Sequence, residues 1–290
     1  MTHYREATMG KTTALAATAL ALVAAVTLPT AADAGNRNQA AIGDVTGDGL
    51  PDSVTFGPHS GSWCQVNIAP GLTGGGFGTA TGYGYSSPQA WYPYCPDTAE
   101  VLDLGGDGTN EIVTTNWDAD SRYGAVVVLR KDSAGVQAVG TYDGVAYPTT
   151  LRQADFNGDG LRDVWFASDE SMSLRTYHNT ASGDLVLGTI DECSQDKVPP
   201  YSLADFDGDG GQDILATLNC GGSKSAVLLS GSGKAKTTFA SSPYGGVYTL
   251  SVVSYNADAY PDVRLVFNDP NGSGTRYYIN DGAGNLTLVP

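Results

Sequence analysis

The sequence predicts an all-β fold, a β-propeller of about five four-stranded blades with an acidic loop between the first two strands of each blade. Three observations predict it. Glycine is very frequent, with 38 residues, while Glu and Lys, the usual fillers of helix surfaces, are scarce and Val, Thr and Tyr abound. An acidic, glycine-rich motif recurs at a period of about fifty residues. Short apolar runs separated by Gly, Asn and Asp fill the intervals, which is the pattern of hairpins.

The first segment reads as an export signal rather than as part of the fold. Arg5 and Lys11 precede the apolar run ALAATALALVAAVTL (Ala14–Leu28), and the small residues Ala32–Ala34 follow as a cleavage site. The run is short and Ala-rich for a membrane span. The expected mature chain is residues 35–290, exported and without a membrane segment. The expected leader holds as many acidic as basic residues, so the mature chain keeps the net charge of −16. That charge argues against nucleic acid or an anionic membrane as partner.

The repeat then occupies the rest. Its copies are GDVTGDGLPDSV from Gly43, LDLGGDGTNEIV from Leu102, ADFNGDGLRDVW from Ala154, ADFDGDGGQDIL from Ala204 and SYNADAYPDVRL from Ser254. The first position of each motif falls at Asp44, Asp103, Asp155, Asp205 and Ser254. The repeats span about 36–95, 96–147, 148–197, 198–246 and 247–290, after a signal peptide at 1–34. Each has an apolar stretch, the acidic loop, a β-rich run, and a Gly turn about thirty residues on (near Gly135, Gly233 and Gly284) between two further runs. Four short strands make one propeller blade, and a blade must bury its faces against neighbours.

Within each motif, alternate residues can aim oxygens at one centre. In the fourth copy these are Asp205, Asp207, Asp209 and Asp213 at positions 1, 3, 5 and 9, with the Gly211 carbonyl at position 7. Gly210 at position 6 permits the positive φ that turns the chain back. Four carboxylates in ten residues repel one another unless a cation sits among them, and calcium takes six to eight oxygens. The third copy offers Asp155, Asn157, Asp159, Leu161 (carbonyl) and Asp163; the first offers Asp44, Thr46, Asp48, Leu50 (carbonyl) and Asp52. The second offers Asp103, Asp107, Thr109 (carbonyl) and Glu111, with Gly105 lacking a side chain at position 3. The fifth keeps Asn256, Asp258 and Asp262. Ligand charge ranks the expected affinity as fourth, third, first, second, fifth. No EF-hand is implied, because position 12 of the fourth copy is Ala216 and the flanks alternate like strands. For a single copy, an Asp-Gly hairpin turn without metal is the plain alternative.

The pattern D-x-[DN]-x-D-G-x-x-D between strands, nearest to type in ADFNGDGLRDV and ADFDGDGGQDI, resembles the FG-GAP or VCBS repeat. That family builds the β-propeller of integrin α subunits and of many secreted bacterial proteins. The resemblance implies calcium in these loops and covers nearly all of the expected mature chain. Seven blades are common in the family; a closed ring of five suits this length better. The fifth copy departs from the pattern at Ser254 and Ala259.

Four cysteines in an exported chain suggest disulfides, and proximity favours Cys64–Cys95 and Cys193–Cys220 among three possible pairings. His59 and His178 read as surface turn residues, and no motif for nucleophilic or zinc catalysis stands out. The run GLTGGGFG (Gly71–Gly78) reads as a long hairpin turn rather than a phosphate loop, since no Lys or helix follows. Trp117 and Trp165 read as blade core. Tyr83, Tyr85, Trp91, Tyr92 and Tyr94 form an aromatic stretch that could stack on sugar rings or pack between blades. The function expected is a secreted calcium-binding module for an extracellular glycan or protein. The competing expectations are a polysaccharide lyase or glycosidase on a propeller scaffold and a structural unit whose calcium only holds the fold.

Overall fold

A computed structural model describes residues 39–57, 63–86, 95–96, 98–117, 124–144, 148–168, 173–191, 201–220, 222–233, 236–243 and 245–290. The expected leader, His59, Trp91, Tyr92, Tyr94 and Cys193 lie outside these residues, as do the side chains of Trp117 and Cys220.

The described chain folds into twenty strands in five four-stranded antiparallel sheets, each sheet falling within one repeat. Blade one holds β1 (Ala41–Gly43), β2 (Asp52–Phe56), β3 (Trp63–Ala69) and β4 (Thr81–Ser86). Blade two holds β5 (Thr98–Asp103), β6 (Asn110–Trp117), β7 (Gly124–Asp132) and β8 (Gly135–Asp143). Blade three holds β9 (Pro148–Ala154), β10 (Asp163–Ser168), β11 (Ser173–Asn179) and β12 (Leu185–Asp191). Blade four holds β13 (Tyr201–Ala204), β14 (Asp213–Cys220), β15 (Ser223–Leu229) and β16 (Lys236–Ser242). Blade five holds β17 (Val247–Val253), β18 (Asp262–Asp269), β19 (Gly272–Asn280) and β20 (Leu286–Leu288). In every sheet the strands pair in chain order, so each blade is a meander whose acidic loop joins its first two strands.

The side-chain alternation of a strand explains how the blades stack. Successive residues point to opposite faces, so an interior blade must be apolar on both. On β14, Ile214, Ala216 and Leu218 enter the core shared with blade three, while Leu215 enters the core shared with blade five. On β7, Val127 and Leu129 face blade one, and Val126 and Val128 face blade three. This is why AVVVL and AVLL read as continuous apolar runs. Four such cores join blades one to two, two to three, three to four and four to five. The expected closing junction between blades five and one is not among the cores of the described residues. The first blade is apolar only towards blade two; Ser53, Thr55, Gln65 and Asn67 occupy the alternate positions of β2 and β3.

Several local expectations are resolved. Cys64 and Cys95 are disulfide-bonded. Trp165 is fully buried, with its ring 4.1 Å from that of Tyr201. Gly71–Gly78 is a hairpin turn, closed by the Gly78 N–H donating to the Pro70 carbonyl (2.7 Å) and the Gly75 N–H to Leu72 (2.8 Å). His178 corrects its expectation: it lies on β11, mostly buried, with Nδ1 3.4 Å from the Asp163 carboxylate. The bend that the sequence suggested lies just after it, at a turn closed by the Gly183 N–H donating to the Thr180 carbonyl (2.8 Å).

Candidate metal centre

One hydrogen-bond template, provided by the carboxylates themselves, recurs in the first four loops, and its position-5 and position-9 parts recur in the fifth. The position-1 carboxylate accepts backbone N–H groups of positions 4 and 6: Asp44 from Gly47 (2.7 Å) and Gly49 (2.7 Å), Asp155 from Gly158 and Gly160, Asp205 from Gly208 and Gly210. In the second loop Asp103 accepts from Asp107 and Gly108. The position-5 carboxylate accepts the N–H of position 7: Asp48 from Leu50, Asp107 from Thr109, Asp159 from Leu161, Asp209 from Gly211 and Asp258 from Tyr260. Positions 4 and 6 both take positive φ in the first four loops, as at Gly208 (75°) and Gly210 (92°). The sequence signalled only the second of these two glycines.

The position-9 carboxylate closes the loop from below. Asp52, Glu111, Asp163, Asp213 and Asp262 are all buried. Each accepts the N–H of position 2: Val45, Leu104, Phe156, Phe206 and Tyr255. In four loops the other oxygen accepts an N–H at the end of the third strand: Gly71, Asn179, Gly231 and Asn280. Blade two differs. Glu111 Oε1 there takes the Arg130 guanidinium through Nε (2.7 Å) and Nη2 (2.6 Å).

The residue at position 2 anchors each loop to the next blade. Val45, Leu104, Phe156 and Phe206 each enter the core shared with the following blade. Polar clamps accompany them. Asn110 Nδ2 donates to the Asp44 carbonyl (2.7 Å), Asn179 Nδ2 to the Asp103 carbonyl (2.9 Å), the Gln212 N–H to the Asp155 carbonyl (2.7 Å), and Asn280 Nδ2 to the Phe206 carbonyl (2.8 Å). Every loop from the first to the fourth is therefore held between two blades.

Position 3 separates the loops electrostatically. In the third and fifth loops it is Asn, whose Nδ2 donates to the position-5 carboxylate: Asn157 to Asp159 (2.9 Å) and Asn256 to Asp258 (2.7 Å). In the fourth loop it is Asp207, which has no such donor. Among the described residues Asp205, Asp207 and Asp209 form the one group of three acidic side chains whose oxygens lie within 4.8 Å of one another. Desolvation first, and then the neighbouring Asp209 and Asp205 charges, raise the Asp207 carboxyl above its usual range. Burial likewise pushes Asp213 up to about 6, against the pull of the Gly231 and Phe206 N–H groups. A hard cation answers both problems, so this donor set fits calcium. Asp213, which the spacing places in the same sphere, lies outside the converging group and holds the loop to the sheet.

The aromatic stretch is divided. Tyr85 is buried in the first core and presents no ring to solvent, which corrects its assignment to a ligand platform. Its position on β4 faces blade two, as the alternation requires. Tyr83 is half-buried, with Lys131 Nζ 4.9 Å from its ring centroid. Among carboxyls, burial also pushes Glu100 up to about 7, but it is buried on β5 with Gln153 Nε2 (3.0 Å) across the junction with blade three. That position gives no access to a substrate.

Comparison with known proteins agrees with the loops. Residues 155–216, which span the third and fourth loops, match the FG-GAP-like repeat model. The fold is that of a β-propeller, and over those residues the chain carries an FG-GAP-like repeat, in support of its resemblance to the FG-GAP/VCBS family. No curated protein matches it. Solved structures that resemble it include a rhamnogalacturonan lyase, YesW (16% identity, TM-score 0.47, 87% of this chain and 50% of that one). Others are a Lactobacillus plantarum protein (12%, 0.43, 88% and 70%) and an exo-β-1,3-galactanase from Phanerochaete chrysosporium (10%, 0.39, 89% and 70%). The chain thus spans half the length of the lyase, and likenesses at these scores carry no functional argument. Among the described residues no helix is long and apolar enough to cross a membrane.

Proposed function

We propose that the protein is an exported, calcium-binding β-propeller that works as a binding module for an extracellular glycan or protein. The observation that supports it best is the convergence of Asp205, Asp207 and Asp209 in a loop held between two blades. Those three side chains would hold the ion, with the Gly211 carbonyl in reach of the same turn by sequence position. Bound calcium supplies the positive charge that these carboxylates lack. The chain's own groups do the rest: Asp213 ties the loop to β14, and Phe206 seats it in the core beneath blade five. Calcium would therefore stiffen a junction between blades, and the loops of successive blades would offer a preformed surface. The affinity order proposed remains fourth, third, first, second, fifth. The Cys64–Cys95 disulfide supports an oxidising destination.

The test is calorimetric titration of calcium, followed by a glycan and protein-ligand array run in calcium. At least one site at micromolar to millimolar affinity and a specific ligand on the array are expected. A folded protein that takes up no calcium removes the metal half of the reading, and one that binds nothing on either array removes the module half.

A further inference from the structure

The second loop breaks the metal template twice, and both departures build one pocket. At position 3 stands Gly105, where a Cβ would lie 3.1–3.2 Å from the backbone of Gly183. The turn after β11 needs that space, and the Gly105 N–H is held by Asn179 Oδ1 (2.9 Å). At position 9 stands Glu111, one methylene longer than the Asp of every other loop, and its Oε1 reaches Arg130. In the other four blades the residues at the register position of Arg130 are Pro70, His178, Ser230 and Ile279, and it is the next residue along (Gly71, Asn179, Gly231 or Asn280) whose backbone N–H reaches the position-9 carboxylate. Blade two has replaced that N–H with a guanidinium fixed at a half-exposed position.

Between loop two and the turn after β11 lies a cavity of about 240 Å³. Buried Leu104 and Val128 line its apolar part. Arg130, Tyr142, Ser182 and Asp184 line the rest. The Tyr142 ring lies over Gly140, where a Cβ would come within 3.1 Å of it, and its hydroxyl accepts the Leu185 N–H (3.2 Å). The Asp184 carboxylate accepts from Ser182 Oγ (2.9 Å). Aromatic ring, guanidinium, hydroxyl and carboxylate are thus all positioned before any ligand arrives.

We propose that this pocket binds one neutral sugar residue. The volume falls below the roughly 300–1,000 Å³ of sites for drug-sized ligands, which suits a single pyranose ring. The charges select a neutral occupant. Glu111 cancels Arg130, and Asp107 and Asp184 on the wall repel a carboxylated sugar. Carboxylate acceptors and the Arg130 N–H groups not directed at Glu111 match adjacent hydroxyls of a sugar, and the tyrosine offers an apolar face. The proposal rests on the binding-module reading and specifies its site.

The test uses the folded full-length protein in calcium. Methyl glycosides of neutral hexoses and pentoses are titrated by calorimetry and saturation-transfer NMR, with glucuronate and galacturonate as acidic counterparts. A neutral glycoside is expected to bind, and Arg130→Ala should weaken it roughly ten- to hundredfold. Because Arg130→Ala strips a buried glutamate of its partner, Val139→Trp is the second variant. Val139 is exposed on the pocket wall, so an indole there fills the space without entering a core, and binding should be lost. Preference for the uronates, no binding by any neutral glycoside, or binding that survives Val139→Trp each overturns the proposal. If the array yields a ligand whose binding ignores both variants, the module reading stands and this pocket is not its site.

Discussion

The fourth and fifth loops descend from one template and are held by the same lower hydrogen bonds, yet they sit in opposite surroundings. Phe206 at position 2 of the fourth is fully buried between blades; Tyr255 at the same position of the fifth is 47% exposed and rests on Tyr277, with ring centroids 4.7 Å apart. The fourth loop has a following blade, whose Asn280 and Gly284 donate to the Phe206 carbonyl. The fifth has no such clamp among the described residues. Its motif has drifted at the same time: Ser254 removes the position-1 acceptor, and Ala259 replaces the position-6 glycine. The difference teaches that the four loops joining two blades all keep Asp at position 1 and Gly at position 6, and that the loop without such a junction among the described residues has lost both.

The largest effect expected from this contrast is on stability. Phe206→Ala should cost about 3–5 kcal/mol, because it opens a cavity in the core between blades four and five. Tyr255→Ala should cost less than about 1 kcal/mol, since half of its ring is already in water. Urea midpoints in chelator, with the slope unchanged, check both. Equal losses would mean that the fifth loop is also buried against another surface in solution.

Next comes the metal. Asp209→Ala should weaken the tightest calcium site by a hundredfold or more, whereas Asp258→Ala should change total uptake less than about threefold. Calorimetry on the two variants reads this directly. The position-9 residues make a control. Asp213→Ala and Asp262→Ala should destabilise the protein by a similar amount, about 2–4 kcal/mol even in chelator, because each strands buried N–H groups on two segments. A loss seen only in calcium would make those carboxylates ligands first and struts second.

These loops also mark what the sequence made legible. Period, strand count, loop placement and the acidity of ADFDGDGGQD are local properties, and they are where the reading and the structure agree. The Cys64–Cys95 pairing and the buried Trp165 followed from proximity and alternation. What was hidden depends on contacts between repeats. Nothing within SYNADAYPD shows that Tyr255 is half exposed, where Phe206 is sunk in a core between blades. Nothing in LGGDGTNE shows that Gly105 yields space to a turn some eighty residues later. Tyr85 read as a platform because a tyrosine-rich run looks alike whether a given ring faces solvent or the next blade; only register distinguishes them. That the position-9 carboxylates also accept backbone N–H groups from two segments was hidden too, because spacing reports which side chains can converge and not which donors they meet.

A smaller effect concerns acid. Asp213 holds its proton to about 6, and its charge adds to those of Asp207 and Asp209 when it ionises, so calcium binding at the fourth loop should weaken as the pH falls below that value. Without calcium the sign reverses. A carboxyl whose folded value lies above its unfolded 3.8 favours the fold most below that value, and this contribution is lost as the pH rises towards 6. Denaturation in chelator and in calcium, at pH 4 and pH 7, should therefore show opposite pH trends for the two conditions. Replacing Asp213 with Asn should flatten both.

The smallest effect tests the drift itself. Ala257 occupies position 4 of the fifth loop, where the other four copies have glycine, and it takes a φ of 62°. A Cβ in that region costs roughly 1 kcal/mol. Ala257→Gly should therefore remove the strain, partly offset by the greater freedom that glycine gives the unfolded chain, for a net gain of about 0.5 kcal/mol. The mirror substitution, Gly208→Ala at the equivalent place in the fourth loop (φ 75°), should cost about 1 kcal/mol or more, since its Cβ would also meet the Gly282 carbonyl oxygen at 3.3 Å. Thermal midpoints of the two variants in chelator measure both shifts. If Ala257→Gly destabilises instead, the fifth loop does not hold the shared template in solution. Its drift at positions 1, 4 and 6 would then mark a turn of a different kind, one that merely kept the strut at Asp262.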